Sequence, residues 1–394
     1  MPSTSPARGG PTPVRGVARR FGILSTFPPT ECGIATFSAA LAAGVITNGG
    51  TVDVVRTGAT PTLEDASVLG TLDAPASAGF PAAVEVLNGT DVAVIQHEYG
   101  LYGGPDGVEV LDTMDRVTVP MIVVAHTVVS TPTANQRYVL ERVCDLADAV
   151  VVMTETARTR LAAGFHVDDA KVVVIPHGAA TPPAAAAPSE SASVDHAPRL
   201  LTWGLLGPGK GIEWAIDAIA ELTDLVPRPN YVIAGATHPK VLAHSGQEYR
   251  QMLVQRAATS ATAPWVSFDD TYRDLASLTA LIRSADLVVL PYDSTDQVTS
   301  GVLVDAVAAG RPVVSTAFPH AVELLGSGAG LVVPQRDSAA LASAIRSVLT
   351  DPELAASMAA EARRLAPELS WTAVASCYDD LAGRLLARRQ PVGP

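Results

Sequence analysis

The chain has 394 residues, 48% of them hydrophobic and 17% charged, with 40 Asp and Glu against 27 Lys and Arg. That length exceeds one ordinary core and suits two domains of roughly 170–190 residues, in a composition typical of buried globular proteins rather than disordered ones. The net charge of −13 argues against a nucleic-acid partner, because neutralising a phosphate backbone takes a basic surface.

A small phosphate-bearing ligand stays compatible with that charge, since backbone N–H groups can hold it locally. The three cysteines, Cys32, Cys144 and Cys377, are far apart and give neither a disulfide framework nor a metal spacing. A reduced, cytoplasmic setting is the expectation. Residues 1–18 carry Pro, Gly, Ser and Arg without an apolar run, so no secretory signal is expected there. Residues 1–20 are expected to be a disordered tail, with peripheral membrane contact through Arg8, Arg15, Arg19 and Arg20 left open. Apolar stretches break within about ten residues, short of the roughly 18–20 that cross a bilayer.

In chain order, short β-branched runs predict strands at Phe21–Phe27, Val52–Thr57, Val92–His97, Met121–His126, Val150–Thr154 and Val172–Pro176. Phe37–Val45 and Gln136–Ala147 supply crossover helices. Thr181–Pro198 is rich in Pro, Ala and Ser without periodicity, the signature of a linker. Strands then resume at Leu200–Leu205, Tyr231–Ala234, Trp265–Phe268, Leu287–Pro291, Pro312–Thr316 and Leu331–Val333. Helices are expected at Glu213–Leu222, Gly246–Ala258, Leu275–Ser284, Val302–Ala309 and Ser338–Leu349. Two such series predict two doubly wound α/β domains, 21–180 and 199–368, facing a cleft. Residues 369–394 form a C-terminal helix and tail. The helix, Trp371–Arg388, is amphipathic and could pack back across that cleft.

Two segments carry the chemistry. Trp203-Gly204-Leu205-Leu206-Gly207-Pro208-Gly209-Lys210-Gly211 runs from a strand through a glycine turn into a helix. Glycines let backbone approach a phosphate, a helix start offers unpaired N–H groups, and Lys210 adds charge. A plain tight turn would also use glycine, and the segment is neither a Walker loop nor a dinucleotide fingerprint. In the second segment, Gln297–Pro312, a polar loop leads into a helix near Ser300 or Gly301, whose first N–H groups could hold another anionic oxygen. Asp305, one turn in, could take a pair of ribose hydroxyls or could simply complement the helix dipole.

These segments and the two-half layout resemble the retaining glycosyltransferases of family 4, which have the GT-B fold. STFPPTECGIATF, QHEYGLYGG, AHTV, IPHG, AGATHP with EYR, and LPYDSTDQ are similar to one bacterial branch, so the resemblance runs from about Phe21 to Leu385. It implies a retaining transfer of a hexose from a nucleoside-diphosphate sugar to the hydroxyl of a glycan, lipid or small metabolite. It implies no essential metal and no cofactor beyond the donor, and it leaves the oligomeric state open.

The family places two acids seven residues apart against the donor. Here Gln297 and Asp305 stand there, so the sugar contact becomes a neutral hydrogen bond while the ribose acid is kept. Leu205 replaces the family's basic residue early in the glycine turn, which leaves Lys210 as its matching cation.

By the same resemblance, His126, Lys210 and Gln297 are the catalytic candidates. Gly33, Gly204, Gly209, Lys210, Gln297, Thr299, Ser300, Gly301, Val302 and Asp305 would contact the donor. His97, Glu98 and Tyr99 would line the acceptor side, with Tyr99 and Tyr102 as stacking faces for a sugar ring. His177 is expected beside the hinge. Glu323 matches a family acid or merely opens a helix, and Arg311 is expected to cap a helix end.

Three rivals stand beside this reading. A dehydrogenase would need G-x-G-x-x-G after the first strand, where the loop is PPTECG. An epimerase or phosphorylase of similar architecture and a non-catalytic sugar-nucleotide-binding protein stay open.

Overall fold

The computed structural model describes residues 18–58, 68–72, 80–180, 197–259, 263–271 and 273–389. The first seventeen residues and 181–196 of the expected linker lie outside them.

The first sheet is wholly parallel. It comprises β1 (Arg20–Ser25), β2 (Thr51–Thr57), β3 (Val68–Leu72), β4 (Val92–His97), β5 (Met121–Ala125), β6 (Ala149–Val152) and β7 (Val172–Val174), in the order β3-β2-β1-β4-β5-β6-β7. Its central strands are buried along their whole length, because helices cover both faces. The second sheet, also parallel, has β8 (Arg199–Trp203), β9 (Asn230–Ala234), β10 (Val266–Asp269), β11 (Leu287–Leu290), β12 (Val313–Thr316) and β13 (Gly330–Val333), ordered β10-β9-β8-β11-β12-β13. In each sheet the winding reverses beside the first strand, β1 next to β4 and β8 next to β11. Those two switch points are where wound sheets open a crevice beyond their C-terminal strand ends.

The expected strands are all present, one or two residues shorter at several ends. The sequence reading missed β3, a Gly-containing edge strand paired only with β2. It also missed α2 (Phe80–Asn88), α3 (Val110–Met114), α5 (Glu155–Gly164), α11 (Pro319–Leu325) and α13 (Pro352–Leu365). The helix expected over 246–258 is present as α8 (Glu248–Thr259), but it is the second of two, for α7 (Pro239–Ser245) precedes it and was missed. Pro239 starts the first, and Gly246, at φ +59°, ends it.

Sequence signals set the helix starts. In α4 (Ala134–Leu146) Thr133 and Gln136 form a reciprocal capping box. In α1 (Gly33–Thr47) the cap is a thiol: Cys32 Sγ accepts from the Ala35 N–H at 3.3 Å and lies 3.2 Å from Thr26 Oγ1. Cys32 thus has a structural task.

The C-terminal helix α14 (Trp371–Arg389) does cross back. Val374, Tyr378, Leu381 and Leu385 join Phe37 and Leu41 of α1 in the core on one face of the first sheet. Gly44 makes this approach close, since a Cβ there would stand 2.6 Å from the Trp371 carbonyl oxygen and 3.0 Å from Ala375 Cβ. A helix-interior Gly→Ala change ordinarily gains up to about 1 kcal/mol, but overpacking costs about 1–3 kcal/mol. Gly44→Ala is therefore expected to lower the thermal midpoint, and a rise would show that α14 slides away at little cost.

The chain crosses between the halves twice, and the crossings touch. Ala179 N donates to Leu369 O at 2.7 Å and Trp371 N to Ala179 O at 3.3 Å. The Trp371 indole packs against Gly178, where any Cβ would overlap it.

Candidate active site

Loops at the two switch points face each other. On the first side, Gly33 opens α1, and a Cβ there would meet no atom within 4 Å, so the surface before it is open. β4 ends in Gln96 and His97, and β5 in Ala125, followed by His126. His126 Nε2 lies 2.6 Å from Gln96 Oε1, and its ring stands edge-on to Phe37 at 4.9 Å. Burial drives the His126 pKa down to about 3, with His177 and His97 adding to the effect, so the ring is neutral at pH 7. Gln96 was not singled out from the sequence, although it lies inside QHEYG.

Glu98 is held by the Tyr99 N–H at 3.1 Å and by the Thr127 hydroxyl, and burial raises its pKa. His97 is buried, its pKa lowered by desolvation to about 4, and neither ring nitrogen has a partner among the described residues. Tyr99 and Tyr102 correct an expectation. Both sit in the apolar cluster under the sheet, and the Tyr102 hydroxyl donates to Leu24 O and Gln96 O. Neither offers a stacking face, because the residues after β4 turn inward to close the core.

On the second side, β8 runs into the glycine turn. Gly204, Gly209 and Gly211 have φ of +117°, +90° and +59°. At Gly211 the requirement is also steric, for a Cβ would overlap Pro291 O. The Lys210 ammonium stands 4.2 Å over the Tyr292 ring, a cation–π seat that orients it. A hollow lined by Pro208, Gly209, Glu213, Tyr249, Asp293 and Arg336 opens beside the turn, and Arg336 there is paired with Asp293 at 3.2 Å.

The loop after β11 leads into α10 (Gly301–Ala308). Its start is tied more firmly than expected. Ser300 N–H, one of the anticipated free donors, is taken by His320 Nδ1 at 2.8 Å, and Ser300 Oγ accepts from Leu303 N. His320 is neutral, its pKa lowered to about 4 chiefly by burial, which lets it accept. The amides left without a preceding turn are those of Gly301 and Val302. Val302 also reaches the glycine turn, its Cγ2 3.4 Å from where a Gly204 Cβ would stand. Gln297 is folded onto its own loop, its amide donating to Thr299 O, while Thr299 Oγ1 is buried without a described partner. Burial raises Asp305 from 3.8 to about 7.

Several contacts bridge the halves. His177, neutral because burial lowers it to about 4, lies against Gly301, whose Cβ would be 2.8 Å from its Nε2. Thr154 Oγ1 donates to Val298 O at 3.0 Å while also capping α5. Arg160 pairs with Asp296 at 3.0 Å. Arg311 donates to Ala285 O just beyond α9 (Leu275–Arg283), a helix-end contact as expected.

Two family descriptions match successive parts of the chain: "Glycosyltransferase Family 4" over residues 32–181 and "Glycosyl transferases group 1" over 197–351. The chain belongs to the family 4 glycosyltransferases. Among its relatives is the D-inositol 3-phosphate glycosyltransferase of Kineococcus radiotolerans, 29% identical over 313 residues, 70% of this chain and 69% of that one. The glycogen synthase of Mycobacterium tuberculosis is 33% identical over 180 residues, 45% of this chain and 40% of its own. Among solved structures, sucrose-phosphate synthase from Thermosynechococcus elongatus superposes with a TM-score of 0.73, at 19% identity over 94% of this chain and all of that one. Anabaena Alr3699/HepE in complex with UDP-glucose gives 0.70, at 17% identity over 93% and 100%. These two share the GT-B fold with this glycosyltransferase.

Glu323 has a use that neither sequence reading anticipated. It lies within α11 rather than opening it, and its carboxylate accepts from Glu155 N at 2.8 Å, Thr156 N at 2.9 Å and Thr156 Oγ1 at 2.8 Å. One half of the glycosyltransferase thereby caps a helix of the other. Glu323→Ala is expected to cost about 1 kcal/mol, the scale of a lost N-cap. Urea titration checks this, and an unchanged midpoint would show the clasp contributes nothing. Among the described residues no cluster of His, Cys, Asp or Glu could hold a metal, and no helix is long and apolar enough to cross a membrane.

Proposed function

We propose that this glycosyltransferase moves a hexosyl group from a nucleoside-diphosphate sugar to a hydroxyl acceptor, with retention at the anomeric carbon and without an essential metal. One observation carries the reading: the glycine turn that holds Lys210 and the start of α10, with the free amides of Gly301 and Val302 and Asp305 one turn on, meet at the second sheet's switch point. A diphosphate against Lys210 and the α10 amides, with ribose on Asp305, uses each group for the charge it offers. The UDP and UDP-glucose complexes of HepE support the same class of donor.

In this scheme His126, neutral and held by Gln96, presents a hydrogen bond to the transferred sugar. Gln297 would have to leave Thr299 O to orient that sugar. The departing phosphate takes the acceptor's proton on the face from which it leaves, so the new bond forms where the old one broke. The sugar moves to the acceptor oxygen and the nucleoside diphosphate departs protonated.

The direct test is UDP-glucose or GDP-mannose offered to wild type, Lys210→Ala and Asp305→Ala, with product configuration read by NMR. Unchanged rates in both variants would remove the site assignment. Donor binding with neither transfer nor hydrolysis would favour the non-catalytic reading, which Leu205 and the engaged Gln297 favour. Rearranged nucleotide sugar would indicate an epimerase, and phosphate-dependent cleavage a phosphorylase.

A further inference from the structure

The chain contains only three lysines, Lys171, Lys210 and Lys240. Lys171 is spent on backbone carbonyls of Cys144 and Asp145, away from the cleft. Lys210 sits in the glycine turn. Lys240, in the first turn of α7, is exposed and reaches the opposite half: a Cβ on Gly100 would overlap its ammonium.

Its setting is rigid on the donor side. The segment before α7 is bridged to the glycine turn, Leu206 with Thr237, and His238 N donates to Leu206 O at 2.8 Å. His238 Nδ1 accepts from Lys240 N at 3.1 Å. Neighbouring arginines of this half are committed, Arg250 to Gly235 O, Arg256 to Asp217, Arg273 to Asp269 and Arg336 to Asp293. Lys240 has no carboxylate at ion-pair distance among the described residues. The acid across the gap, Glu98, gives its hydrogen bonds to Tyr99 N and Thr127 and meets Lys240 only through its charge, beyond ion-pair distance. Burial lowers the His238 pKa first, and Lys240 and Lys210 lower it further, so both ammonium groups act on one imidazole.

We infer that Lys240, with His238 beside it, forms an anion subsite on the acceptor side of the cleft, and that the hydroxyl acceptor carries a phosphate monoester. This rests on the nucleotide-sugar reading, in which Lys210 and the α10 amides take the donor's diphosphate. A second cation, without an acid at ion-pair distance among the described residues and displaced toward the Glu98–Leu101 loop, is left for the other substrate. A dianionic acceptor approaching a protein of net charge −13 is repelled at long range, and a local cation restores the attraction. A lysine suits the task because it meets phosphate as a point charge on a flexible stem.

The test titrates inorganic phosphate into protein saturated with UDP, by calorimetry, for wild type, Lys240→Ala and Lys240→Arg. UDP-glucose transfer to glucose and to glucose 6-phosphate is measured beside it. Phosphate is expected to bind wild type at least tenfold more tightly than Lys240→Ala, with Lys240→Arg within about threefold, and UDP affinity is expected to stay within twofold throughout. Where either sugar is accepted, the phosphorylated one should be preferred in wild type and lose its advantage in Lys240→Ala. Equal phosphate affinity in wild type and Lys240→Ala would overturn the subsite. So would a fall in UDP affinity, which would place Lys240 on the donor. If UDP fails to bind at all, the nucleotide reading falls, while the phosphate titration still decides whether Lys240 holds an anion.

Discussion

Lys210→Ala is expected to lower kcat for glycosyl transfer by about a hundred- to a thousandfold, the loss seen when one preorganised charge-stabilising group is removed. In the proposed scheme the diphosphate gains charge as the sugar leaves, so the ammonium's contribution grows toward the transition state and appears in kcat more than in KM. The magnitude is at the upper end because this turn has Leu205 where the family has a second cation, and Arg336 is tied to Asp293. Folding should hardly notice the change. The ammonium's visible partner is the face of Tyr292, a contact of about 0.5–1 kcal/mol at exposed sites. Turnover and thermal midpoint measured together separate the two: a rate within threefold of wild type would remove Lys210 from the chemistry.

The affinity for UDP-glucose is expected to weaken as pH falls below about 7, through Asp305. Burial raises this carboxyl from 3.8 to about 7, so the unliganded site takes up a proton across that range. Two ribose hydroxyls donating to it require the carboxylate, and binding must therefore expel that proton. Between pH 7.5 and 5.5 the loss should be roughly twentyfold, following one proton per site at a tenfold change per unit. UDP-glucose is the right probe because its diphosphate is doubly esterified and does not titrate there.

Asp305→Asn should bind more weakly at pH 7.5 but with a flat profile. Stability carries the opposite sign. The folded pKa lies above the unfolded one, so the group's contribution is full below 3.8 and lost as pH rises through about 7. At pH 8 without ligand, Asp305→Asn should melt higher than wild type. A flat wild-type profile would mean ribose does not meet Asp305.

Both sheets were legible in the sequence, because strands buried on two faces are written as unbroken β-branched runs. The glycine turn and the start of α10 were legible for a related reason: positive φ and a helix cap each select few residue types. What escaped depends on contacts between distant segments. Ser300 N–H looks free until His320 is folded against it. Glu323 looks like an ordinary helical acid until Glu155 and Thr156 arrive from the other half. Tyr99 and Tyr102 look like rim aromatics because nothing local reveals that the loop turns inward. Lys240 follows a turn that was quoted for resemblance alone, and its reach to Gly100 exists only once the halves face each other.

The paired crossings at Ala179 and Ser370 set how such halves can move. Two separate tethers would let them slide, shear or twist past one another. Tethers laced together at one point behave as a pivot, and leave chiefly rotation about it. On closure the proposed donor and acceptor sites would then meet along an arc set by the pivot's geometry. A substitution at Gly178 or Trp371, whose indole reaches His126 through Phe37, would shift the end of that arc.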